Sequence, residues 1–192
     1  IKLLGNAKST IIHNPVSNQY LASGIIKLGP LLEAGANIAL GTDGVAVAGS
    51  DMFEAMKSAQ MLQHLREYDA ESTSAELMLH LACRNGGQML RKNVGVLKTG
   101  ALADFISVDL RGAHNQPATR AVCSLTSSVR GSDVCHVVVD GEHIVADGRS
   151  TKVDQDKVVA DAIQASKQII EKAGITDLVA AWRSPKRFYT SK

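Results

Sequence analysis

The sequence predicts an α/β fold in two parts, residues 1–93 alternating strand and helix and residues 94–192 forming a small β unit closed by a helix. Three observations carry this. Apolar, strand-like runs around Ile11 and Ile38 flank a stretch with helical spacing. Long helical periodicities follow Asp51 and Ser74. After Val94 short alternating runs replace them, one pair joined by Asp140-Gly141.

The elements follow in order. "STIIHNPVSN" (Ser9 to Asn18) starts as a β-branched strand, and Pro15 and Asn18 turn it into a loop. From Ser23 to Ala34, residues Ile25, Ile26, Leu28, Leu31 and Leu32 have helical spacing, weakened by Gly29 and Pro30 and stopped by Gly35. "NIALGTD" is the second strand, closed by Asp43. Strand, helix and strand together take about 30 residues, the size of one βαβ unit. His13 and Asp43 therefore sit at equivalent ends of parallel strands, the face where α/β folds place their chemistry.

Ser50 or Asp51 caps a helix carrying Met52, Phe53, Met56, Ala59, Met61, Leu62 and Leu65. A second helix starts near Thr73 or Ser74 and is expected to break near Gly86-Gly87. "ADFISVD" is a strand, and "SDVCHVVVDGEHIVADGR" is a hairpin with an Asp-Gly turn. Asp154 to Ala173 is an amphipathic helix with Val158, Val159, Ala162, Ile163, Ile169 and Ile170 as its stripe and Gly174 as its stop. The polar tail "AAWRSPKRFYTSK" is expected on the surface.

Composition limits the function classes. The 192 residues carry 21 basic and 19 acidic side chains, a net charge of +2, with no dense basic stripe. That balance gives nucleic-acid binding no support. No apolar run is long enough for a membrane span. Cys83, Cys123 and Cys135 are odd in number and form no CxxC pair, so we expect a reducing, cytoplasmic compartment rather than a disulfide framework. No signal peptide is evident, and the chain opens on Ile1 rather than Met, as a piece of a longer or processed protein would.

Few residues are candidates for chemistry. Asp43 reads either as a strand-ending Asp-Gly turn or as a carboxylate that binds a divalent metal and takes a proton from its water. His13 reads as a hydrogen-bonded structural histidine or as a residue lining the same mouth. Asn14, Ser17 and Asn18 are ordinary loop residues that could also present amide and hydroxyl groups to a polar heterocycle. His64, His80, His114, His136 and His143 lack partners at metal spacing, and the five methionines read as core. Neither glycine-rich stretch has phosphate-loop spacing, and there is no nucleophile elbow. One carboxylate and one histidine fall short of the three protein ligands usual in a catalytic zinc site.

The blocks "HNPVSNQYLASGI", "LLEAGANIALGTDG" and "DMFEAMK", then "GVLKTGALADFISVDL" and "VVVDGEHIVADGR", resemble the metal-dependent amidohydrolase superfamily in its chlorohydrolase and aminohydrolase branch. That branch includes deaminases of methylthioadenosine, S-adenosylhomocysteine, guanine and 8-oxoguanine, and s-triazine hydrolases. The resemblance implies the C-terminal part of a distorted (β/α)8 TIM-like barrel (residues 1–93), plus part of a small flanking β-sandwich with a C-terminal helix (residues 94–192). It implies that Asp43 is the metal ligand and proton shuttle, and that His13 lines the substrate pocket with Asn14, Ser17 and Asn18. It also implies one divalent metal ion, zinc first and iron as the alternative. The other metal histidines and the acid–base glutamate belong to earlier strands, so this segment alone is expected to be inactive. Two departures stand out: "GVAVAGSD" after Asp43, where relatives carry serine and asparagine, and Asn14, where many carry cysteine.

The implied reaction is deamination of a purine-, pterin- or triazine-like ring by metal-bound hydroxide. Hydrolytic dechlorination of a chloro-heterocycle, or a non-catalytic scaffold of the same fold, are the alternatives. The implied partner is a small heterocyclic substrate, with no nucleic acid and no membrane, and the intact protein is expected to be a homo-oligomer.

Overall fold

A computed structural model describes residues 1–7, 9–44 and 49–181. They form two compact units, Ile1–Arg149 and Ser150–Lys192. The change of character expected at 93/94 lies inside the first unit.

The first unit opens with α1 (Lys2–Asn6), β1 (Thr10–His13), α2 (Pro15–Tyr20), α3 (Leu28–Glu33) and β2 (Asn37–Leu40). β1 and β2 pair in parallel, Thr10 opposite Asn37 through His13 opposite Leu40. Parallel strands need a crossover, and α2 and α3 supply it. The loop expected after His13 is a helix instead. Pro15 stands at its first position, where a missing N–H costs nothing and the fixed φ suits a helix. The helix expected over Ser23–Ala34 shortens to α3, because Gly24 at φ 92° lies outside the helical region.

α4 (Met52–Glu67) begins where Asp51 accepts a hydrogen bond from the Phe53 N–H at 2.8 Å. α5 (Ala75–Leu90) is capped by Ser74, whose hydroxyl accepts from the Leu77 N–H at 3.2 Å. The break expected at Gly86-Gly87 does not occur, and α5 runs on to Leu90. The reason for at least one glycine is space: a Cβ on Gly87 would lie 2.7 Å from the Val94 carbonyl oxygen. Leu28, Leu31, Ile38 and Leu40 pack with Phe53, Met56, Met78 and Leu81 in one buried cluster, so both long helices cover the β1–β2 layer. Burying side chains of this size stabilises by about 1.5–3 kcal/mol each before entropy is counted.

β3 (Phe105–Val108), α6 (Ala121–Ser127), β4 (Val134–Val139), β5 (Glu142–Ala146) and the two-residue β6 (Arg149–Ser150) follow. The sheet order is β3-β4-β5-β6, with β3–β4 and β4–β5 antiparallel. Asp140 and Gly141 take φ 51° and 80°, the left-handed pair that a tight hairpin turn requires.

The second unit holds α7 (Gln155–Lys172) and α8 (Thr176–Ala180). Asp154 caps α7 through the Lys157 N–H, and Gly174 follows it at φ 64°. The expected stripe forms, yet none of its residues is buried, Ile169 being 65% exposed. Of the polar tail, residues 182–192 lie outside the described residues, as do residues 45–48 of the loop after Asp43. Among the described residues no helix is long and apolar enough to cross a membrane.

Candidate active site

Parallel pairing puts the ends of β1 and β2 side by side. The Gly41 N–H donates to the His13 carbonyl at 2.9 Å, carrying the ladder one residue past β2. Asp43 does not close the strand as expected: β2 ends at Leu40, and Asp43 lies in the following turn at φ 63°. Aspartate is one of the few residues that tolerate this left-handed region. Gly41 permits the close approach of the two strand ends. A Cβ there would meet Asn14 Oδ1 at 2.4 Å and Ile12 Cγ2 at 2.8 Å.

The Ser17 hydroxyl donates to Asp43 Oδ2 at 2.6 Å, and the Gly44 N–H donates to Oδ1 at 2.7 Å. The Ser17 bond first, and the Gly44 bond second, hold the Asp43 carboxyl below the usual carboxylate range. It is an ionised group at neutral pH, exposed, and anchored from two sides. His13 is the opposite case. It is 2% exposed, and burial lowers its pKa to about 4, so its ring is neutral at pH 7. Its Nε2 is buried without a hydrogen-bond partner among the described residues. Asn14 precedes α2, and its main-chain carbonyl accepts from the Asn18 N–H at 3.0 Å. His13, Asn14 and Asn18 line one cavity of about 320 Å³ together with Ser23 and Ile25. The structure thus brings Ser17 onto Asp43, and groups the other three in a neighbouring stretch of wall.

A larger groove of about 1020 Å³, lined mainly by apolar residues such as Met52, Met56, Leu79, Phe105 and Val137, contains none of the five candidates. It lies between α4, α5 and the second sheet.

Some positioning residues carried little sequence signal. Asn85 Nδ2 donates to the Ile38 carbonyl at 2.7 Å, and Asn37 Nδ2 donates to the Asn85 carbonyl at 3.2 Å, fixing α5 to β2. An amide on the buried face of a helix, four residues after Leu81, was the available clue. Asp51, besides capping α4, accepts from the Gly131 N–H at 2.8 Å. His114 pairs with Asp133 at 2.9 Å, and Asn115 joins them, far from Asp43 in sequence and tied to the chain after α6.

Asp43 suits a divalent metal. Each carboxylate oxygen accepts one hydrogen bond and keeps a lone pair, and oxygen donors of this kind ligate zinc. Among the described residues no three His, Cys, Asp or Glu side chains converge on one point.

The model of the family described as "Amidohydrolase family" matches residues 1–144. A 5-methylthioadenosine/S-adenosylhomocysteine deaminase of Thermococcus sibiricus is 40% identical over 146 residues, covering 76% of this chain and 34% of that protein. A 5'-deoxyadenosine deaminase of Methanosarcina barkeri is 36% identical over 171 residues, covering 88% of this chain and 40% of that protein. A zinc-bound adenosine deaminase from Xanthomonas campestris superposes with a TM-score of 0.79 at 29% identity, over 83% of this chain and 37% of that one. The chain therefore spans little more than a third of the length of the relatives it matches.

Proposed function

The chain belongs to the amidohydrolase family, and on that premise we propose that it is the C-terminal portion of a metal-dependent aminohydrolase acting on an adenine-type nucleoside. The reaction adds water at the amino-bearing ring carbon and releases ammonia. The observation that carries the reading is the Asp43 carboxylate, ionised and held by Ser17 and Gly44 at the C-terminal end of the parallel β1–β2 pair. The substrate class rests on the relatives' own activities, methylthioadenosine, S-adenosylhomocysteine and deoxyadenosine deamination.

Asp43 would hold the metal ion, zinc before iron, and accept the proton that the attacking water loses. When bound, the metal supplies Lewis acidity and makes water a nucleophile at neutral pH. Neutral His13 borders the cavity without adding charge, and Asn14 and Asn18 offer amides to the heterocycle's edge. The remaining ligands are assigned to the part of the relatives' length that this chain does not span. On the same reading residues 1–93 are barrel and residues 94–192 are sandwich with its closing helix. The free thiols support a cytoplasmic protein, and light scattering of the full-length chain checks the homo-oligomer.

The test uses the full-length protein loaded with zinc and offered adenosine, 5'-deoxyadenosine and methylthioadenosine. Ammonia release and the ultraviolet change of adenine to hypoxanthine are followed. Asp43→Asn preserves the left-handed turn, because asparagine also tolerates it. It removes the proton acceptor and should lower kcat by at least about 100-fold. No ammonia from any of these substrates, or near-normal rates from Asp43→Asn with full zinc, would overturn the proposal.

A further inference from the structure

We infer that Ser17 is a positioning residue that fixes the Asp43 carboxylate, rather than a group that contacts substrate. The inference rests on the reading of Asp43 as a metal ligand. Ser17 is 2% exposed, and its Oγ lies 2.6 Å from Asp43 Oδ2 across 26 residues of sequence. The hydroxyl has one proton, and that proton is committed to the carboxylate.

The two hydrogen bonds to Asp43 differ in what they can hold. Gly44 is the next residue, so its N–H moves with Asp43 and cannot orient the carboxylate against the rest of the fold. Ser17 belongs to another element. It sits on α2, directly after β1, with buried Pro15 at the helix start restricting the backbone. Among the described residues it makes the only hydrogen bond to the carboxylate from outside the Asp43–Gly44 turn. Asp43 also takes a left-handed backbone conformation, which persists when the surroundings over-determine it. The Ser17 bond is such a constraint. It ties the turn after β2 to the helix after β1, and it engages one lone pair of Oδ2, leaving the other oxygen face for a ligand.

Removing the hydroxyl should therefore act through the metal. Groups that orient a ligand by hydrogen bonding typically change metal affinity or activity by about 10–100-fold. The experiment compares full-length, zinc-loaded wild type with Ser17→Ala and Ser17→Thr. Zinc release to a colorimetric chelator is measured first, since it needs no substrate. Then kcat and KM for methylthioadenosine are measured separately.

The expected result is zinc release about 10–100 times faster in Ser17→Ala, a comparable fall in kcat, and KM within twofold of wild type. Ser17→Thr, which keeps a hydroxyl, should recover most of the zinc retention. Wild-type zinc release in Ser17→Ala, or a raised KM with kcat unchanged, would overturn the inference, the second outcome returning the hydroxyl to the substrate. If Ser17→Ala misfolds by circular dichroism, Ser17→Gly, which also lacks the hydroxyl and adds no zinc-binding atom, gives the same comparison. Asp43→Ala separates the two proposals: if zinc release is unchanged in that variant, the metal-ligand reading itself fails.

Discussion

Gly41→Ala tests whether the close approach of the β1 and β2 ends sets the geometry of the site. The added methyl would start 2.4 Å from Asn14 Oδ1 and 2.8 Å from Ile12 Cγ2. Ordinary contact lies at roughly 3.4 Å or more, so the Asn14 and Ile12 side chains must give way, by about 1 Å at Asn14 Oδ1. Ser17 rides on α2, and its bond to Asp43 is 2.6 Å long. Where the start of α2 is carried along by that amount, the bond stretches to roughly 3.6 Å, outside hydrogen-bonding range. Overpacking of this kind costs about 1–3 kcal/mol of stability. A misplacement of about 1 Å at reacting groups costs on the order of 100-fold in rate. The assay is kcat for an adenine nucleoside together with chemical denaturation of the full-length protein. Gly29→Ala is the control, because nothing lies within 4 Å of a Cβ at Gly29. Gly41→Ala with stability within 0.5 kcal/mol of wild type and kcat within twofold would refute the reasoning, because the strand ends would then be free to part.

Two further perturbations read other parts of the fold. His13 has its pKa lowered from 6.5 to about 4 by burial, so the unfolded chain takes up a proton through pH 6.5 that the folded chain refuses until about pH 4. The stability that neutral His13 allows is complete above pH 6.5 and is lost as the pH falls toward 4. Between pH 7.5 and 5 wild type should lose about 2 kcal/mol more than His13→Gln, and parallel pH profiles from denaturant titrations would contradict this. Asn85→Ala leaves the buried Ile38 carbonyl without its donor and should cost about 1–3 kcal/mol. A loss below 0.5 kcal/mol would mean that apolar packing and the Asn37 bond to the residue 85 carbonyl hold α5 on β2 without the Asn85 amide.

Much of the first unit was legible because its signals are local. Periodicity located α4 and α5, Ser50 or Asp51 and Thr73 or Ser74 announced their starts, of which the structure uses Asp51 and Ser74, and Asp140-Gly141 announced the hairpin. The parallel pairing of the two strands followed from the length of one βαβ unit and is realised in register, but His13 stands opposite Leu40 and Asp43 lies three residues beyond the strand. The resemblance carried by "HNPVSN" and "GTDG" pointed to the family that the comparisons support. Two misreadings share one cause, which is that proline and glycine have more than one use. Pro15 was read as a break and begins a helix, where its missing N–H is harmless. Gly86-Gly87 was read as a break, yet α5 continues through both residues and Gly87 admits the passing chain at Val94.

By itself, then, the sequence determined the parallel β1–β2 pair, the long helices α4, α5 and α7, the Asp140-Gly141 hairpin, and the kind of chemistry a carboxylate such as Asp43 can support. Only the tertiary structure decided that Ser17 turns its hydroxyl to Asp43, that Asn14 presses on the bare Cα of Gly41, and that His13 is buried and neutral. The physical reason is range. Caps, turns and periodic faces depend on residues within a few positions of one another. A hydrogen bond spanning 26 residues, or the dielectric around a ring, depends on which distant segments fold against it.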